Sequence, residues 1–248
     1  MIKIKNLKKS FKGKAVLNGV NLDIEEGKIT VIIGRSGEGK SVLMKHIIGL
    51  MAPDSGEILL DGTDLTKLSE KEWNEARRRF GMLFQGAALF DSMTVADNVG
   101  FPLKEHTGLD RNEIRGVVEE KLKRVGLVGV EEMMPADLSG GMKKRVGLAR
   151  AIIMEPEIVL FDEPTTGLDP IMSDSIAKLM LDTQKQLKTT YIAITHDISL
   201  TYKTADKIAM LHEGRIVEEG SCEAIKASTN PVVRQFVEGR STGPIAVY

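Results

Sequence analysis

Gly34 to Ser41 reads Gly-Arg-Ser-Gly-Glu-Gly-Lys-Ser, and few folds place G-x-x-x-x-G-K-S between a strand and a helix. Before it runs Ile29-Thr30-Val31-Ile32-Ile33, a β-branched apolar run suited to a buried parallel strand. After it, Val42 to Ile48 reads as a helix. In that context the helix N-terminus and successive backbone N–H groups converge on one anion. Gly34, Gly37 and Gly39 let the main chain take positive φ and approach phosphate oxygens; Lys40 sets a charge at the β and γ phosphates, and Ser41 offers a hydroxyl to Mg²⁺. Arg35, Ser36 and Glu38 complete the loop, and an acid there must point away from a triphosphate or weaken its binding. The expected ligand is a nucleoside triphosphate. The bland alternative is a glycine turn with a solvated lysine.

At 248 residues the chain suffices for one large α/β domain with a subdomain. Lys and Arg number 34 against 35 Asp and Glu, a net charge of −1, so no global field favours nucleic acid. The lysines at 3, 5, 8, 9, 12 and 14 read as a solvated strand face. Cys222 stands alone, without an internal disulfide or zinc partner, in keeping with a reducing compartment. No stretch approaches the roughly 18 uncharged apolar residues of a bilayer span, and the N-terminus lacks an apolar signal core. The expectation is a cytoplasmic chain, with any membrane spans supplied by another polypeptide.

Along the chain, Ile2–Leu7 and Gly19–Ile24 read as strands with Phe11 in the turn between them, where a ring can stack on adenine or belong to the core. Glu57–Gly62 is a further strand and turn, and Ser69 with Glu72 opens a charged helix through Arg79. From Gly86 to about Glu155 the pattern turns helical, including 113–125. Within it, Ser139 caps a helix behind Gly140 and Gly141, either a second anion nest or an ordinary cap. The apolar strand 157–161 ends in Asp162 and Glu163, suited to holding Mg²⁺ and polarising water for displacement at a γ-phosphate. Gly167-Leu168-Asp169-Pro170 is a turn, and the strand 191–195 delivers His196, whose imidazole can contact the γ-phosphate. A hairpin around Glu213-Gly214, a small helix near 221–227 and an amphipathic segment 230–238 precede a tail expected to fray.

The order of P-loop, Gln85, Leu138-Ser139-Gly140-Gly141, Asp162-Glu163, Gly167-Leu168-Asp169 and His196 resembles the ATP-binding cassette ATPases over nearly the whole length. The resemblance implies a P-loop α/β fold with a mostly parallel core sheet, an antiparallel β subdomain, a helical subdomain over about 86–155 and a C-terminal extension over 228–248, in one ATPase domain. It makes Phe11 the adenine-stacking aromatic, Gln85 the Q-loop residue and a metal contact beside Ser41 and Asp162. It likewise makes Glu163 the catalytic base, Asp169 the D-loop acid and His196 the switch histidine. Met142 stands where the family usually has glutamine. The resemblance further implies a head-to-tail homodimer in which Ser139, Gly140 and Gly141 of one copy close over ATP on the other copy's P-loop.

Residues 82–95 and 98–106, with the tail 233–239 and Gly243-Pro244, look like the ATPases of Mla or Mce-type phospholipid transporters. That likeness implies a phospholipid-moving motor with Mg²⁺ and ATP, a multi-span permease seated near Leu89, Phe90 and Phe101, an Mce-type lipid-binding subunit and a small regulatory subunit. It also implies a peripheral position on the cytoplasmic face of the inner membrane. The rivals are the ATPase of a solute importer, for amino acids for example, and a permease-free cassette of iron–sulfur assembly. A further expectation is that Phe236 and the apolar end cross to a sister subunit.

Overall fold

The computed structural model describes residues 1–246. Two compact units emerge: Met1–Arg77 together with the stretch from Ile192 onward, and Arg78–Tyr191. The first opens with β1 (Ile2–Phe11), β2 (Lys14–Ile24), β3 (Ile29–Ile33), α1 (Lys40–Ile47), β4 (Ser55–Leu60), β5 (Thr63–Asp64) and α2 (Glu70–Arg77). Strands β2-β1-β4-β5 make an antiparallel sheet in which Ile2 faces both Ile24 and Leu60.

Both leading strands run longer than alternation predicts. Asn6 takes φ +46 and the register shifts between Ile4 and Leu7, so the buried positions are Ile2, Ile4 and Leu7. Such a bulge resets the inward phase, and pairing continues through lysines that periodicity leaves out. Phe11 is therefore the last residue of β1, opposite Lys14, and not in the turn.

The second unit comprises β6 (Phe80–Leu83), α3 (Val95–His106), α4 (Arg111–Arg124), α5 (Gly140–Ile152), β7 (Ile158–Asp162) and α6 (Pro170–Leu187). β6 and β7 are parallel, with Phe80 opposite Ile158, and Arg79 pins the start of the pair through two hydrogen bonds to the Glu157 carboxylate. Helix α4 starts two residues ahead of the expected 113 because Asp110 and Glu113 form a reciprocal capping box.

β8 (Thr190–Thr195) carries the chain back to the first unit, followed by α7 (Ile198–Thr204), β9 (Lys207–His212), β10 (Arg215–Gly220), α8 (Cys222–Lys226) and α9 (Pro231–Val237). There the order is β10-β9-β3-β8, with β3 and β9 parallel and every β3 residue buried. Positive φ at both Glu213 and Gly214 makes the tight β9–β10 turn.

In the tail expected to fray, the described residues are exposed except at Ile245, where the chain is anchored. Gln235 on α9, 4% exposed, accepts the Ile245 amide at 2.7 Å and donates to the Ile245 carbonyl at 3.0 Å, and Ile245 is buried. Val247 and Tyr248, part of the apolar finish expected to cross to a sister subunit, lie outside the described residues. No helix among the described residues is long and apolar enough to cross a membrane.

Candidate functional site

Strand β3 delivers the glycine loop to α1 through two contacts that exclude side chains. A Cβ on Gly34 would lie 2.4 Å from the Leu211 carbonyl oxygen. One on Gly39, the left-handed N-cap residue of α1, would lie 3.0 Å from both Val16 Cγ1 and its carbonyl oxygen. Lys40 is 5% exposed, and its Nζ donates to the carbonyls of Gly34 at 2.6 Å and Arg35 at 3.0 Å, curled over its own loop. Ser41 presents its side chain at the exposed surface of the same turn, and that turn carries no acid.

Glu38 points out of the cradle. Its Oε2 accepts the Glu213 amide at 2.6 Å and its Oε1 lies 3.3 Å from His212 Nδ1. The acid thus braces the loop on the β9–β10 turn. Arg35 reaches the other way, donating to the Ala246 carbonyl at 2.5 Å, while Ser36 and Gly37 are exposed at the tip. Elsewhere in this unit, Phe11 is 41% exposed with Lys9 Nζ 5.8 Å from its ring centroid. His196 is exposed just past β8, next to Asp197, which caps α7.

In the second unit β7 ends in half-buried Asp162 and buried Glu163. Glu163 takes φ +48, an uncommon conformation for a non-glycine residue. Thr166 holds it twice: its Oγ1 donates to Glu163 Oε2 at 3.1 Å and its amide to the Glu163 carbonyl at 3.3 Å. Ser139 Oγ accepts the Met142 amide at 3.3 Å, so the N-terminal turn of α5 is capped as expected, with Ser139 and Gly140 exposed and Gly141 buried. Asp169 caps α6 through the amides of Ile171 at 2.9 Å and Met172 at 3.0 Å.

Gln85 is exposed after β6, and its main chain is held by Lys144, a residue that sequence reasoning passed over. Lys144 is 5% exposed, and burial lowers its pKa against the opposing pull of Asp162 and Glu163. It stands in the run Met142-Lys143-Lys144-Arg145, whose composition does not mark which base turns inward. Phe90 is 43% exposed and tilts against half-buried Phe101 at 5.1 Å between centroids, so the expected apolar surface is in part self-covered.

A buried strand feeding a glycine loop and lysine, with a second strand ending in paired carboxylates, defines a P-loop nucleotide hydrolase. The chain belongs to the ABC transporter family, whose model matches residues 17–166, and it is an ATP-binding ATPase of that family. It is 46% identical to the probable ribonucleotide transport ATP-binding protein mkl of Mycobacterium leprae, over 99% of this chain and 71% of that protein. It is 42% identical to the intermembrane phospholipid transport system ATP-binding protein MlaF of Haemophilus influenzae, over 99% of this chain and 93% of that protein. Among solved structures, the dimeric post-hydrolysis ATP-binding cassette MJ0796 bound to ADP and Pi matches with a TM-score of 0.82 at 32% identity, over 89% of this chain and 98% of that one.

Proposed function

We propose that the chain is the motor subunit of a phospholipid transporter, hydrolysing Mg²⁺–ATP as a homodimer to drive a separate multi-span permease between membranes. The observation that carries this reading is the similarity to MlaF, which spans 93% of that protein and so includes the regions outside the catalytic motifs. The name of the mkl relatives supports a second cargo, ribonucleotides, with the same motor.

In this reading Lys40 and the main-chain amides of the glycine loop take the phosphates, with Arg35 and Ser36 at the loop rim and Phe11 stacking on the base. Ser41, Asp162 and Gln85 are the residues that would hold Mg²⁺ in this reading, oxygen donors of the kind a hard cation takes, with the Ser41 side chain exposed and Asp162 half-buried. Bound Mg²⁺ supplies neutralisation of charge developing on the phosphate oxygens. Glu163, its carboxylate oriented by Thr166, takes the proton of the attacking water, and His196 donates to the γ-phosphate. Ser139, Gly140 and Gly141 of one copy, with Asp169, close the nucleotide of the other, so binding favours the closed dimer to the extent that it favours that state.

The partner surface is supported by a groove of about 520 Å³ between α3 and α4, lined by Met93, Gly100, Phe101 and Ile114 together with Asp97, Lys104 and Arg111. A permease helix with an apolar face suits it. An Mce-type lipid-binding subunit and a small regulatory subunit complete the proposed assembly, peripheral at the cytoplasmic face of the inner membrane. The test is to purify the tagged chain from mildly solubilised membranes and identify what comes with it. A multi-span permease with bound phospholipid is the expected result. A permease carrying nucleotide or another solute overturns the cargo, and a soluble partner alone overturns the transport role.

A further inference from the structure

Helix α5 grips the segment after Gln85 through main-chain carbonyls. Lys144 Nζ donates to the Gln85 carbonyl, and two turns on, Arg150 donates to the carbonyls of Ala88 at 2.9 Å and Ala87 at 2.7 Å. Gly147 lies between them, and a Cβ there would meet Leu83 Cδ1 at 2.7 Å and Ala87 Cβ at 3.1 Å, so helix and segment approach as closely as backbone allows. Ala87 and Ala88 both take positive φ, conformations that persist only where the surroundings hold them. The same Lys144 ammonium also donates to the Glu163 carbonyl at 3.2 Å. That carbonyl belongs to the third non-glycine residue in this cluster with positive φ.

We propose that Lys144 is a positioning residue for hydrolysis: one buried ammonium joins the main chain at Gln85 to the main chain at Glu163 and so sets where the Glu163 carboxylate stands. A lysine suits the task because its three donors serve two carbonyls at once on a stem long enough to cross from the helix. A side chain that merely fills space needs no charge there, and burial penalises the charge. Movement of the segment after Gln85 is thereby carried to Glu163 through a single side chain. The inference rests on Glu163 acting as the base in the reading above.

The test is steady-state ATP turnover by the full chain, with ATP binding and thermal unfolding measured on the same samples, for Lys144→Met, Lys144→Arg and Glu163→Gln. Displacing a catalytic group by about 1 Å lowers rate on the order of 10²-fold. Lys144→Met is expected to lose kcat on that scale with KM for ATP within about twofold of the parent, and Lys144→Arg to recover part of the loss. Parent-like kcat in Lys144→Met, or equal losses in kcat and ATP binding, overturns the proposal. Where Lys144→Met does not fold, Lys144→Gln is judged by the same split. Glu163→Gln separates the two claims: its inactivity beside a fully active Lys144→Met sinks the positioning role alone, whereas its full activity sinks the base assignment and the positioning role together.

Discussion

Glu38→Ala isolates the brace between the phosphate loop and the β9–β10 turn. The Glu38 carboxylate accepts the Glu213 amide at 2.6 Å and faces His212 Nδ1 at 3.3 Å, with side chains 16% and 14% exposed. A hydrogen bond to a charged group contributes about 1.5–3 kcal/mol, and partial exposure argues for the lower part of that range. The loss should be about 1.5 kcal/mol, which for a chain of this size lowers Tm by about 3–6 °C. The loop amides then start less ordered, so ATP affinity falls several-fold, up to about tenfold when most of that energy is spent on re-ordering the loop. Glu38→Gln keeps an acceptor for the Glu213 amide and should fall between. Thermal unfolding by circular dichroism and titration with a fluorescent ATP analogue measure both quantities. Tighter ATP binding in Glu38→Ala would refute the reasoning, since it would mean that the acid acts chiefly by repelling phosphate.

Gln235→Ala removes both hydrogen bonds that hold Ile245, so the amide of Ile245 should exchange faster and the chain lose about 1–2 kcal/mol. Unchanged protection at Ile245 contradicts the tether. His46, buried on α1 with Nδ1 donating to the Val42 carbonyl at 2.6 Å, has its pKa lowered from 6.5, chiefly by burial, with that hydrogen bond opposing and Lys9 adding to the shift. The unfolded chain therefore takes that proton first, and the stabilisation is complete above the unfolded pKa and lost as pH falls through the folded one. The urea midpoint of the parent should drop from pH 7 towards pH 5 more steeply than that of His46→Gln, and parallel slopes count against the assignment.

The parts of the chain legible in the sequence are those whose chemistry sits in consecutive residues. Gly34 to Ser41 and Asp162-Glu163 announce strand ends and phosphate chemistry by local spacing alone, and Ser139 and Ser69 announce caps by their distance to the next helical turn. What stayed illegible depends on contacts between distant residues. Lys144 meets the carbonyl of Gln85, 59 residues away, and nothing in its own run marks which of its bases turns inward. The direction of Glu38 was left open because its partners, His212 and Glu213, lie on a turn 174 and 175 residues on. The length of β1 was missed because the bulge at Asn6 breaks the alternation that periodicity counts. The tail was expected to fray as chain ends commonly do, and a glutamine inside an amphipathic helix gives no sign that its amide will accept from and donate to the main chain of Ile245.

The measurement that bears most directly on the motor is ATP turnover by Glu163→Gln beside the parent, with sedimentation of both in ATP and Mg²⁺. The parent should hydrolyse ATP. The variant should bind it, lose turnover by at least about 10²-fold, and accumulate as a dimer that the parent forms only in passing. Undiminished hydrolysis by Glu163→Gln would contradict the account at its centre.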